Sequence, residues 1–304
     1  MAIPADQLET WAKQGSKDLS STTYQSVRNA LTGSKSPIRE KIASGNIRVD
    51  LQGSYANDTN TRGDSDVDVL VRLNVFGSNK YSLPTNQFLL HEQTYPVATY
   101  DWSHLRRDII TALNEYYGVA SVDVSGNKSI KVQKNNGRLR ADIVPVIAHR
   151  NYSYFLGHTN HAKVEGIMFY HRMTNAEVIN YPDQHYSNGV AKHKATSDAF
   201  KRIVRIIKNA RAYAVDKGLL HKDVAPSYFL QCMIYNVPNE HFAGNDSTAV
   251  YNTLKYLIEN NKQDFTTQSG QHELFGNSGI HWHHDNATKT LSALAHLWDN
   301  WTSI

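Results

Sequence analysis

Two acids inside an apolar run constrain this chain more than any other feature. In "DSDVDVLVRL", Asp66 and Asp68 are separated by Val67 and followed by Val69, Leu70 and Val71. The alternation reads as a strand from Val67 to Leu73. Side chains at i and i+2 of a strand share a face, so the two carboxylates project side by side. Neighbouring carboxylates resist joint ionisation unless a cation sits between them. A hard, oxygen-seeking ion such as magnesium removes that conflict. Taken alone, an Asp-x-Asp pair is more often a solvated strand edge or a turn.

A third acid lies in "RLRADIVPV". Asp142 faces away from Leu139, Ala141 and Ile143. If that strand pairs with the first, three carboxylates meet on one patch. That is the ligand set for two metal ions roughly 3.5–4 Å apart. Ahead of the acids, "IRVDLQ" (Ile47 to Gln52) reads as another strand, and Gly53 and Ser54 follow it. Glycine lets backbone approach a phosphate closely. Exposed amides and the Ser54 hydroxyl can then donate to phosphate oxygens. An isolated Gly-Ser pair is also an ordinary turn.

The rest of the chain supplies the frame. Residues 4–31 read as helical with a break at Gly15, and 76–101, with Pro84 and Pro96, read as loop. Trp102 to Gly118 is a helix stopped by glycine. Three short strands follow, with turns at Gly126-Asn127 and Asn135–Gly137. Residues 150–195, rich in Tyr, His and Asn, read as loop-heavy. "SDAFKRIVRIIKNARAYAVDKG" is a strong helix with Ser197 as N-cap and Gly218 as C′ residue. On it, Lys201, Arg205 and Lys208 share one face, either as a binding stripe or as a solvated face. Further helices are "SYFLQCMIYNV", residues 247–261 and "TLSALAHLWDNW". The expected fold class is therefore α+β: a strand-and-helix lobe over 1–150 and a helical lobe over 151–304.

Composition excludes several classes. The net charge of +4 is too small to argue for nucleic-acid binding by itself. One cysteine, Cys232, rules out an internal disulfide and a zinc module of paired cysteines. A reducing, cytoplasmic setting is the simplest fit. No secretory signal is visible, and no stretch reaches the ~20 apolar residues that span a bilayer. The "RGD" at Arg62 to Asp64 reads as incidental. "HWHHD" (His281 to Asp285) reads as a packing or solvated segment, because adjacent histidines diverge.

The combination resembles the polymerase-β-like nucleotidyltransferases. The order "GSYANDT…DSDVDVLV", "RADIVPV", "FKRIVRIIKNAR", "PSYFLQCMIYNVP" is similar to that of the cGAS/DncV-like nucleotidyltransferases of bacterial anti-phage systems, and "WAKQGSKDLSSTTYQSVRNAL" is similar to their opening helix. The resemblance implies a mixed sheet flanked by helices, completed by a C-terminal helical lobe. It implies that Asp66, Asp68 and Asp142 are catalytic and hold two Mg2+ ions, with Mn2+ able to substitute. It places Gln52, Gly53, Ser54, Arg205, Lys208 and Ser227 on the nucleotide and Tyr228 under a base. Tyr228 also fits a core tyrosine. Asn188 is a candidate base reader, since an amide both donates and accepts; Asn-Gly is also a turn pair.

The activity implied is magnesium-dependent synthesis of a cyclic di- or trinucleotide from NTPs. Regulatory or effector proteins encoded nearby are the implied partners, with no zinc-dependent DNA sensing and no membrane. Two alternatives are weighed. One is transfer of NMP to a protein or small-molecule acceptor. The other is a nucleotide-binding scaffold with a dead site, which the presence of all three aspartates disfavours.

Overall fold

The computed structural model describes residues 2–15, 17–61 and 66–304, so the tripeptide at 62–64 lies outside the described residues. In chain order the elements are α1 (Ala5–Ala12), α2 (Lys17–Thr32), α3 (Arg39–Ala43), β1 (Ile47–Gln52), α4 (Gly53–Ala56), β2 (Val67–Ser78), α5 (Thr85–Thr94), α6 (Trp102–Tyr117), β3 (Val122–Asp123), β4 (Ile130–Val132), β5 (Ala141–Phe155), β6 (His161–Tyr170), β7 (Glu177–Asn180), α7 (Pro182–Ala195), α8 (Ala199–Asp216), α9 (Ser227–Tyr235), α10 (Asp246–Glu259) and α11 (His284–Asp299). They form two compact units, one of residues 17–55 and 64–182, the other of 1–16, 56–63 and 183–304. Among the described residues, no helix is long and apolar enough to cross a membrane.

The first unit is a mixed sheet flanked by helices. Its strands run β1-β2-β5-β4-β3, with β6 beside β5 and β7 beside β6. β2 and β5 are parallel, while β1 and β4 join them antiparallel. The alternation in β2 does what its period demands. Val67, Val69, Val71 and Leu73 are buried, and they pack with Val27 and Leu31 of α2 and Leu105, Ile109 and Leu113 of α6. α6 starts at a capping box, where the Asp101 carboxylate accepts from the N–H groups of Ser103 and His104.

Two stretches expected as loop are ordered elements. β2 runs on to Ser78, and Pro84 stands just before the first turn of α5. There a proline opens a helix, because the first turn needs no N–H from it. Between 150 and 195 the chain forms the end of β5, then β6, β7 and α7. Several of the tyrosines and histidines that suggested loop are strand residues with a packing role. Tyr152 and Phe155 are buried with Leu83, and His161 stacks on Phe155 at 5.8 Å.

The second unit is helical. Phe200, Val204 and Ile207 of α8 form its core with Leu230 and Ile234 of α9, Leu257 of α10, Leu294 and Leu297 of α11, and Leu8 of α1. Gly218 closes α8 as expected, at φ +73. Its N–H reaches the Val215 carbonyl and that of Leu219 the Ala214 carbonyl, which makes a Schellman motif. The other end differs from expectation. Ser197 and Asp198 are left-handed, at φ 49 and 65. The hydroxyl of Thr196 instead accepts the Phe200 N–H at 3.0 Å, so Ser197 is not the cap. The His281 to Asp285 segment packs: Trp282 donates to the Val224 carbonyl at 2.9 Å, and His284 stacks on Phe275 at 4.4 Å.

Candidate active site

Register brings the acids together in the sheet unit. Gln52 pairs with Asp68 across β1 and β2, Asp68 with Asp142 across β2 and β5, and Asp142 with Lys131 across β5 and β4. Directly paired residues share a face, so these four side chains form one row on the side opposite the core valines. Gly53 follows Gln52 at φ +71, and a Cβ there would lie 1.9 Å from Oδ2 of Asp68. Only glycine fits this approach of backbone to carboxylate. Ser54 follows it, half-buried in α4.

The row is electrostatically loaded. Burial pushes the Asp68 carboxyl up to about 7, and the Asp142 and Asp66 charges add to the push. Asp142 is raised too, by burial and then by Asp66, while Lys131, Arg140 and a bond from Ser129 pull it back. Its Oδ1 is buried without a hydrogen-bond partner. Asp66 sits just before β2, where Arg140 grips it through Nε and Nη2, both at 2.6 Å. Among the described residues no three His, Cys, Asp or Glu side chains are gathered closely enough to hold a metal ion as they stand. The donor set nonetheless suits one. Two carboxylates in register, one with an orphaned buried oxygen, are a hard-oxygen site short of positive charge.

Two cations at this site were not singled out from the sequence. Lys131 was signalled by the apolar-Lys-apolar alternation of Ile130, Lys131 and Val132, which puts it on the face of Asp142 once the strands pair. Arg140 had no local signal, because its partner Asp66 is distant in the chain.

The helical unit holds the other expected residues. The α8 stripe is engaged with residues 58–59 rather than solvated. Lys201 Nζ lies 3.2 Å from the Asp58 carboxylate. Arg205 donates to the carbonyls of Asp58 at 2.6 Å and Ala12 at 2.5 Å. Lys208 donates to Oγ1 and O of Thr59 at 3.2 and 3.3 Å and to Gln231 Oε1 at 2.9 Å. Burial lowers its ammonium to about 8. Ser227 opens α9, and Tyr228 after it is half exposed, its ring stacked on His185 at 5.6 Å. Asn188 lies within α7 and not in a turn; its amide donates to the Gln268 carbonyl at 2.9 Å. Gly189 is explained by packing, since a Cβ there would come within 2.4 Å of Gln268 Nε2.

Known proteins match the chain over its length. A nucleotidyltransferase domain family matches residues 36–144, and the cGAS/DncV-like nucleotidyltransferase C-terminal helical domain matches 187–299. The chain is 37% identical over 302 residues to the cyclic UMP-AMP synthase of Rhodothermus marinus, covering 99% of both. It is 33% identical over 306 residues to the cyclic nucleotide synthase CdnE01 of Staphylococcus haemolyticus, covering 99% of this chain and 100% of that one. Among solved structures, the R. marinus CdnE c-UMP-AMP synthase with Apcpp and Upnpp superposes with a TM-score of 0.87 at 36% identity, covering 99% of this chain and 98% of that one.

Proposed function

The chain belongs to the cGAS/DncV-like nucleotidyltransferases, and from that premise we propose that it joins two nucleoside triphosphates into a cyclic dinucleotide signal. The observation that carries this reading is the Gln52–Asp68–Asp142 row beside Gly53, in a chain that matches a cyclic UMP-AMP synthase from end to end.

The residues divide the work. The Gly53 backbone and the Ser54 hydroxyl would donate to the triphosphate of the donor. The Tyr228 ring would stack on a base, and Ser227, Gln52 and Asn188 would contact the nucleotide. Arg205 would reach a phosphate only by exchanging a carbonyl acceptor for it, and Lys208 by exchanging Thr59 while keeping Gln231. Asp66, Asp68 and Asp142 would hold two magnesium ions, or manganese in their place, and Arg140 would release Asp66 as they load. When bound, the ions supply Lewis-acid stabilisation to the α-phosphate and to the leaving pyrophosphate. A 3′- or 2′-hydroxyl of one nucleotide would give up its proton to solvent and attack the donor α-phosphate in line, so that the phosphodiester bond forms as the bond to the leaving pyrophosphate breaks. A second round, with the roles of the two ends exchanged, closes the ring. Positioning and charge neutralisation, rather than covalent catalysis, provide the rate. Such a signal fits anti-phage defence with an effector protein encoded alongside, which inspection of the neighbouring genes would test.

The direct test incubates purified protein with all four labelled NTPs and magnesium or manganese, treats the mixture with phosphatase, and identifies what survives by chromatography and mass spectrometry. The expected outcome is a phosphatase-resistant cyclic product, with single-NTP omissions naming its bases. Label transferred to protein, with no resistant nucleotide, would overturn the cyclase reading in favour of NMP transfer.

A further inference from the structure

Behind the exposed face of Tyr228 lies a buried chain of polar side chains with Gln231 at its centre. Gln231 is 4% exposed and sits three residues after Tyr228 on α9. Its Oε1 accepts from Lys208 Nζ and from Thr59 Oγ1, each at 2.9 Å. Its Nε2 lies 3.1 Å from Gln268 Oε1 and 3.1 Å from His185 Nε2. Gln268 Nε2 in turn donates to the His185 carbonyl at 2.7 Å.

The orientation of the Gln231 amide is not arbitrary. A lysine ammonium can only donate, so the atom facing Lys208 must be the amide oxygen. The amide nitrogen is then the atom facing His185. It carries two N–H groups, one for Gln268 and one for the imidazole. His185 Nε2 must therefore accept, and its ring proton belongs on Nδ1, a buried atom with no hydrogen-bond partner of its own. The ring is 8% exposed. Burial and the nearby Lys208 charge favour its neutral form and lower it to about 4. The groups that face it are Lys208 from α8, Gln231 and Tyr228 from α9, and Gln268 from the segment before α11. This fixed ring lies under Tyr228, stacked at 5.6 Å with an interplanar angle of 21°.

We infer that Gln231 is a positioning residue for the nucleotide base: its amide locks the Nδ1–H tautomer of His185, and the locked imidazole holds the Tyr228 ring flat for stacking. The inference rests on the proposed function, in which Tyr228 carries a base. No other side chain of this length serves. A carboxylate at 231 accepts from Lys208 but has no N–H for His185 or Gln268. An aliphatic chain removes a hydrogen bond from each of four buried polar partners.

The test has a structural arm and a functional arm. The structural arm records long-range nitrogen–proton NMR spectra of the histidine rings in the unsubstituted protein, with His185→Gln as the assignment control. The expected form at pH 6–8 is neutral, with the proton on Nδ1. Gln231→Glu should move it to Nε2, where it can donate to the new carboxylate, and raise the pH at which the ring charges. The functional arm measures binding of non-hydrolysable ATP and UTP analogues. Gln231→Leu should weaken the analogue that the protein prefers about tenfold, comparable to the loss of one stacked base, with turnover reporting the change in KM more than in kcat. In a Tyr228→Ala background the same substitution should cause no further loss, because the two act on one element. An Nε2–H tautomer in the unsubstituted protein would overturn the role of Gln231 alone, and so would an equal loss in both backgrounds. Unchanged affinity in Tyr228→Ala would instead overturn the stacking assignment, and the inference with it, whatever the tautomer.

Discussion

Asp68 concentrates the physics of the site in one residue. Its carboxyl is raised from 3.8 to about 7, first by burial and then by Asp142 and Asp66. An acid with a raised folded pKa binds more protons folded than unfolded in that interval. Its contribution to stability therefore falls as pH climbs from 3.8 to about 7. Asp68→Asn removes this liability. Without metal, the variant should melt higher than the parent at pH 8, and the gap should close toward pH 4. Magnesium should raise the parent's melting temperature at pH 8 and not the variant's; an equal magnesium shift in both would sink the assignment of Asp68 to the ion. Product formation should drop by about 10²–10³-fold in Asp68→Asn or Asp142→Asn, equivalent to about 3–4 kcal/mol of lost transition-state stabilisation. Gly53 is the second sensitive residue. Gly53→Ala meets both a positive φ and the Asp68 oxygen, so it should cost at least about 1 kcal/mol of stability and most of the turnover. A fully active alanine variant, judged by melting and product assay together, would show that this close approach is dispensable.

At the scale of elements, α8 shows how far a period carries. Its spacing places Lys201, Arg205 and Lys208 on one face and its isoleucines on the other, as the structure has them. Spacing could not supply their acceptors, because Asp58, Thr59 and Gln231 come from distant parts of the chain. The difference has a thermodynamic consequence. Lys208 falls from 10.5 to about 8 through burial. Between those values the unfolded chain holds a proton that the folded one has released, so stability rises with pH across that window. Lys208→Met should flatten that rise in melting scans from pH 8 to 10.5, and unchanged slopes would mean that the ammonium is not buried in solution. The elements past residue 150 were hidden for a different reason. β6 and β7 carry polar and aromatic residues where a strict apolar alternation would have announced them. They are strands because β5 and β6 offer them open edges.

At the scale of the whole molecule, the chain crosses between its units more than once. The helical unit recruits 1–16 and 56–63 to the long C-terminal segment. Leu8 and Ala12 belong to its core, and residues 58–59 occupy the α8 cations. A fragment of residues 183–304 alone lacks these pieces and should melt without a cooperative transition by circular dichroism; a sharp transition at the parent temperature would show that the recruited segments are not needed. The sequence by itself determined what depends on near neighbours. Period-2 alternation fixed the strands around Asp68 and Asp142, a positive-φ glycine ended α8, and the acids faced away from the core valines. Tertiary structure alone decided that β2 and β5 lie parallel with Asp68 opposite Asp142, that Arg140 holds Asp66, that Lys131 joins the row, and that Gln231 links Lys208 to His185. Each of these joins residues far apart in the chain, and the free energy of such a pairing comes from burial and hydrogen bonds formed only when the remote partners meet, which no local pattern records.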